Sequence, residues 1–251
     1  MSITNTLRGI ARSSLRSLGL RVQRLEPNQI RGIDPIADIK YLLAGRRSPT
    51  IFDVGANDGE TSEAFFEAFP GATIVAFEPF LACAEKLSAR FSSRPAVRVE
   101  NVALGEQSGE GQLNVFSGNR MNSLLELSSD PANLMKGFKK TGVSPVQVDT
   151  LDSYCTRHAI SSLDVLKVDT QGYDLNVLKG GRSLLSAKRV KVVLLEVNFI
   201  PMYSKQASFI ELHTFLSAYG YQLVAFYNHV WQNGHTAWCD GCYVAPESSN
   251  Q

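Results

Sequence analysis

The chain has 251 residues, 44% hydrophobic and 20% charged, enough for one sizeable core and too few for two full domains. Its formal charge of +1, with no Lys/Arg block interleaved with aromatics, excludes nucleic acid as the default partner. Four cysteines make no disulfide framework, and the longest uncharged apolar stretch, "VVLL", falls far short of the roughly 18 residues a bilayer span needs, so a cytoplasmic protein is expected.

The first element is "TLRGIARSSLRSLGLRVQRLEP", with Arg8, Arg12 and Arg16 on one helical face and Leu7, Ala11, Leu15 and Leu18 on another. It reads as a basic amphipathic helix, either packed on the main body with solvated arginines or in peripheral contact with an anionic membrane. With the helix "DPIADIKYLLAG" it makes an N-terminal extension over residues 1–45, ahead of one domain over 46–251. From there short apolar runs alternate with helix-period runs, the pattern of an α/β fold whose parallel sheet carries helices on both faces. The strand candidates are "TIFDVGA", "ATIVAFEP", "AVRVENVAL", "DVLKVDT" and "VKVVLLEVN". Between them Phe65 and Phe69 repeat at helical spacing, as do Ala84, Leu87 and Phe91. Gly180-Gly181 is expected to stop the helix "YDLNVLKGG" by tolerating positive φ. The stretch "SGNRMNSLLELSSDPANLMKGFKKTGVSP" is polar enough to be an insertion over a site. After the helix "SFIELHTFLSAYG", the runs "YQLVAFYNHVW" and "WCDGCYVAP" flank "QNGHTA" and predict an antiparallel hairpin.

In open α/β sheets a ligand lies beyond the carboxyl ends of the strands. "DVGANDG" supplies Asp53, Gly55, Asn57 and Gly59 there: Gly55 for a tight turn close to a ligand, Gly59 for packing of the next helix near the strand. A nicotinamide fingerprint needs a middle glycine where Ala56-Asn57 stands. Glu78 ends the second strand, 25 residues beyond Asp53, where a carboxylate accepts the ribose hydroxyls of an adenosine. It supports an adenosine without choosing between NAD and S-adenosylmethionine.

Taken in order, "IFDVGANDGETS", "VAFEP", "VALG", "VDTLDSY", "LKVDTQGYDLNVLKGG" and "VVLLEV" resemble the FkbM family of S-adenosylmethionine-dependent methyltransferases, from Ile51 to Asn198 and more loosely through the hairpin. The resemblance implies a class I methyltransferase fold: a Rossmann-like, seven-stranded, mostly parallel sheet with an antiparallel terminal strand. It also implies O-methylation, with S-adenosyl-L-methionine as cofactor and a small-molecule or glycan acceptor bearing a free hydroxyl, such as a sugar, glycolipid or secondary metabolite. Carried over by position, Asp53, Gly55 and Gly59 form the first cofactor loop, Glu78 holds the ribose, and Asn101 to Ala103 lie near the adenine. Asp169 faces the methyl-transfer site. The family often has an acidic residue where Gln171 stands.

Asp169 is the leading candidate for general base or acceptor-orienting group, against a plain helix N-cap. Glu196 is the second catalytic candidate, because a carboxylate inside "VVLLEVN" is costly to bury without a partner. Asp149 and Asp152 read as turn and cap residues, and His213 as a packing residue. Cys239 and Cys242, near His229 and His235, read as a reduced-cysteine turn or as one half of a zinc site; no metal is expected. Tyr173, Tyr203 and Trp231 are candidates to stack on a sugar. A non-catalytic Rossmann-like binding protein and a nicotinamide-dependent oxidoreductase stand as alternatives.

Overall fold

The computed structural model describes residues 32–129 and 139–246; the basic helix expected over residues 6–27 lies outside the described residues. The described elements run α1 (Pro35–Leu42), β1 (Thr50–Val54), α2 (Glu60–Ala68), β2 (Thr73–Phe77), α3 (Leu81–Arg90), β3 (Val97–Glu100), β4 (Ala103–Leu104), β5 (Gly109–Phe116) and β6 (Lys140–Asp149). They continue with α4 (Leu151–Arg157), β7 (Leu163–Val168), α5 (Asp174–Lys179), α6 (Arg182–Ser186), β8 (Val190–Asn198), α7 (Phe209–Ala218), β9 (Gln222–Gln232) and β10 (His235–Val244). None of the helices described is long and apolar enough to cross a membrane.

The main sheet has seven strands in the order β3-β2-β1-β7-β8-β10-β9. The first five are parallel, and β10 enters antiparallel between β8 and β9. Both faces of the central strands are covered, which is why β7 is buried at every position and reads as a continuous apolar run interrupted only by Asp164 and Lys167. Alternation along the strands splits the core in two. Phe52, Leu166, Val193 and Cys239 face α4 to α7, whereas Ile51, Val165, Leu194 and Cys242 face α1 to α3. The chain order reverses between β1 and β7, so the carboxyl ends of those strands open a crevice at the switch point.

Helix α1 starts with Asp34 accepting from the N–H groups of Ile36 and Ala37 and with Pro35 at its first turn. Ile39 and Leu43 enter the same buried cluster as β1 and α2, and the Tyr227 hydroxyl donates to Asp38 Oδ2 (2.7 Å), tying β9 to α1.

Three local expectations are corrected. "AVRVENVAL" is two strands in two sheets: β3 ends where the Asn101 amide turns to donate to the carbonyls of Glu78 and Pro79, and β4 joins a separate sheet of order β4-β6-β5. That small sheet escapes sequence reading because "GEGQLNVF" and "KTGVSPVQVD" are rich in glycine and polar residues and bury only Leu113 to Phe116, Val146 and Asp149. Second, Gly180 and Gly181 both have negative φ. Their need is closeness: a Cβ on Gly180 would overlap the Gly105 carbonyl, and one on Gly181 would lie 2.6 Å from Leu151 Cδ2. Third, the cysteine pair sits within β10 and the hairpin loop is only Asn233-Gly234, with φ of 52° and 85° as a tight two-residue turn requires.

Tyr227→Phe removes a donor from the buried Asp38 carboxylate and is expected to lower the unfolding free energy by about 1–3 kcal/mol, measured by urea denaturation.

Candidate active site

The turn after β1 is drawn tight by its own backbone. Gly55, at φ +79°, and Ala56 both donate to the Phe77 carbonyl (3.0 Å each), and a Cβ on Gly55 would overlap the Asp169 carbonyl oxygen. Asn57, at φ +46°, aims its N–H at Glu78 Oε2 (2.9 Å) while Phe80 N–H reaches Oε1 (2.9 Å). The Glu78 carboxylate is therefore fixed by the backbone on both sides. Burial pushes its pKa up, and the two backbone donors oppose that rise.

Beneath the turn sits Lys167, only 7% exposed, with its ammonium 2.9 Å from Asp53 Oδ1 and 3.8 Å from Asp169 Oδ2. It also donates to the Gly55 carbonyl (3.1 Å). Burial alone would pull its pKa down; attraction to Asp53 and Asp169 outweighs that and raises it, so the side chain is an ammonium. Asp53 is fully buried and accepts from Ser62 Oγ (2.6 Å) at its other oxygen.

At the ends of β7 and β8 the carboxyl groups crowd. Asp169, whose side chain is 39% exposed, accepts from Gln171 Nε2 (2.9 Å). The same amide nitrogen lies 3.3 Å from Glu196 Oε2, and its carbonyl accepts from the buried Tyr203 hydroxyl (2.9 Å), which fixes the amide's orientation. Gln171 holds φ +54° to do this. Glu196 is buried, accepts from Asn198 Nδ2 (2.9 Å), and has its pKa pushed well up by burial and then by Asp169 and Asp174. Asp174 accepts from Thr170 N–H (3.2 Å) and Gly172 N–H (3.1 Å), so it organises the turn before α5 that Asp169 was a candidate to cap. Burial and Asp169 push the Asp174 pKa up to about 7.

A cavity of about 420 Å³ opens above these groups. Of the residues singled out in the sequence, Gly55, Asn57, Glu78, Ala103, Asp169 and Glu196 line it. Asp53, Gly59 and Asn101 do not. Asp53 acts from below through Lys167. Gly59 is a left-handed helix start whose Cβ would meet Leu87 of α3 at 2.5 Å, so the close neighbour is that helix and not the strand. Asn101 secures the β2 turn. Sequence reasoning passed over Lys167, although a lysine inside the apolar run "DVLKV" is itself the signal of a buried, paired charge. The segment around Asn119 to Leu124, expected as a polar insertion over a site, lines the cavity too.

Most other candidates fall elsewhere. Asp149 pairs with Arg157 and Ser108, Asp152 accepts from the first N–H groups of α6, and His213 packs on Phe209 and Tyr243. Cys239 and Cys242 lie on opposite faces of the sheet and cannot share a metal ion. Tyr173 lines the cavity, Tyr203 is buried behind Gln171, and Trp231 is exposed on β9.

Comparison with known proteins gives a match of residues 53–223 to the methyltransferase FkbM domain. The chain is 26% identical over 153 residues to the 2-O-methyltransferase NoeI of Sinorhizobium fredii, an alignment covering 59% of this chain and 63% of that protein, less than two thirds of its length. Similar solved structures include precorrin-6y C5,15-methyltransferase from Geobacter metallireducens (TM-score 0.45, 11% identity, covering 90% of this chain and 92% of that one). Another is magnesium protoporphyrin IX methyltransferase from Synechocystis with bound S-adenosylmethionine (TM-score 0.45, 9% identity, covering 95% and 96%).

Because folding raises the Asp174 pKa from 3.8 to about 7, its bound proton stabilises the fold fully below pH 3.8, and that contribution is gone once the pH passes 7. Asp174→Asn is expected to flatten the decline of stability across this window in urea titrations at stepped pH. An unchanged slope would contradict the raised pKa.

Proposed function

The chain belongs to the FkbM methyltransferase family, and from that premise we propose that it is an S-adenosyl-L-methionine-dependent O-methyltransferase acting on a hydroxyl of a sugar, glycan, glycolipid or secondary metabolite. The observation that carries the reading is one cavity whose walls take in the Gly55 turn, the backbone-held Glu78 carboxylate and the solvent-facing Asp169 carboxylate. The residues fit an adenosyl group. Gly55 lacks the Cβ that would close the turn on Asp169, Glu78 offers acceptors for ribose hydroxyls, and Val102, Ala103 and Leu113 supply apolar lining for a base.

When bound, S-adenosylmethionine supplies an electrophilic methyl on a sulfonium. The protein's part is to align the acceptor oxygen with it and to take the hydroxyl proton. In this reading Asp169 takes that proton, supported by its reaching the cavity with Gln171 and Lys167 orienting it from behind. Glu196, linked to Asp169 through the Gln171 amide, orients the acceptor.

The backbone argues against the nicotinamide alternative. N–H groups of Gly55, Ala56 and Asn57 are already spent on Phe77 and Glu78, so the turn offers none of the three to a pyrophosphate. The 2-O-methyltransferase name of the Sinorhizobium fredii relative supports a hydroxyl acceptor.

Isothermal titration is expected to show saturable S-adenosylmethionine binding, weakened about tenfold or more in Glu78→Ala through loss of a charged acceptor. Asp169→Asn is expected to keep binding and lose about 10²–10⁴-fold in turnover. Binding of NADH alone would overturn the reading, and binding without transfer to any hydroxyl acceptor would favour a non-catalytic binding protein.

A further inference from the structure

Beside the large cavity lies a second one of about 260 Å³, and the two share Glu60, Thr61, Lys167, Asp169 and Glu196 in their walls. Away from that shared wall the second cavity is lined by residues the large one lacks: Ile36 of α1, Ala64 further along α2, and Asn228 and Asp240 of the terminal hairpin. The antiparallel insertion of β10 brings Asp240 there, because Asp240 pairs directly across from Glu196. Asn228, at φ +51° beside a register shift in the hairpin, donates to Asp240 Oδ2 (2.6 Å).

We infer that this second cavity receives the methyl acceptor, and that the part of the acceptor entering it is an uncharged or cationic hydroxyl compound, not a phosphorylated or carboxylated one. The inference rests on the larger cavity being the cofactor site. In-line displacement sets where the acceptor must lie. The acceptor oxygen forms the new C–O bond from the side opposite sulfur, the C–S pair returns to sulfur, and the hydroxyl proton passes to Asp169. The acceptor therefore needs a space of its own that meets the cofactor cavity at the proton-accepting residue. The second cavity meets it there, at Asp169 and Glu196.

The lining sets which acceptors can enter. Asp169, Glu196 and Asp240 present carboxyl groups, and among the described residues lining the cavity the one cation is Lys167, already held by Asp53 and the Gly55 carbonyl. Glu60, also in the lining, is paired with Arg120. A phosphate or carboxylate on the entering group meets like groups with no free cation, whereas sugar hydroxyls find acceptors, and Ile36 and Ala64 offer apolar surface to the C–H face of a ring.

The test uses the full chain saturated with S-adenosylhomocysteine and titrated with size-matched methyl glycosides that are neutral, amino-substituted, or carboxylate- or phosphate-bearing. Neutral and amino glycosides are expected to bind about tenfold or more tightly than the anionic ones, as like-charge juxtaposition dictates. Ala64→Trp, which fills the second cavity, and Asp240→Asn, which removes a carboxylate without added bulk, are each expected to weaken glycoside binding about tenfold while S-adenosylmethionine affinity stays within about twofold, since neither residue lines the cofactor cavity. Preference for the anionic glycosides, no binding by any class, or both variants binding like the unaltered chain would overturn the inference. Failure to bind S-adenosylmethionine at all is a different outcome: it overturns the proposed function and this inference with it.

Discussion

The buried ion pair between Lys167 and Asp53 is the contact on which the site depends. An ammonium only 7% exposed on the central strand is tolerable because it meets Asp53 at 2.9 Å, the Gly55 carbonyl at 3.1 Å and Asp169 at 3.8 Å. Removing one member of such a buried pair costs about 3–5 kcal/mol, because the other is left charged and unpaired. These partners come from both sides of the switch point: Asp53 stands in β1 and Gly55 just after it, while Asp169 follows β7. One side chain thus fixes the separation of the two strand ends and the position of the Gly55 turn that lines the larger cavity.

Around that cation the acids outnumber the bases. Asp169, Asp174, Glu196 and Asp240 crowd the carboxyl ends of β7 and β8 and the middle of the antiparallel β10, and burial with mutual repulsion pushes the pKa of the last three up. Gln171 relieves the crowding where a further acid would deepen it. Its amide nitrogen serves Asp169 and Glu196 together, and its carbonyl is held by Tyr203, so the donor cannot rotate away. Left-handed backbone at Gln171 is the conformational cost of that placement.

The antiparallel β10 has a chemical as well as an architectural consequence. By pairing with β8 it sets Asp240 opposite Glu196, and the tight Asn233-Gly234 turn returns β10 along β9 so that Asn228 reaches Asp240. The acid-rich edge of the second cavity is therefore assembled from strands far apart in the chain, while α1 and α2 add apolar lining beside Val168, Leu194 and Leu195.

The main sheet was legible in the sequence because period-2 and period-3.6 apolar patterns are local, and five of its strand runs and the closing hairpin carry them plainly. Gly55, Asn57, Glu78, Ala103, Asp169 and Glu196 were legible as cavity residues because strand ends and their turns are marked by acids and glycines in order. The roles of Asp53, Gly59 and Asn101 were decided only by tertiary structure: each acts through a distant partner, Lys167, Leu87 or the β2 turn, that no spacing reveals. The small sheet, the split of "AVRVENVAL" and the opposed faces of Cys239 and Cys242 were likewise settled by long-range pairing. Sequence determines which residues start and end the elements, because those signals act over a few residues. Which carboxylates crowd together, and which cavity they face, depends on distances between strand ends that only the closed sheet sets.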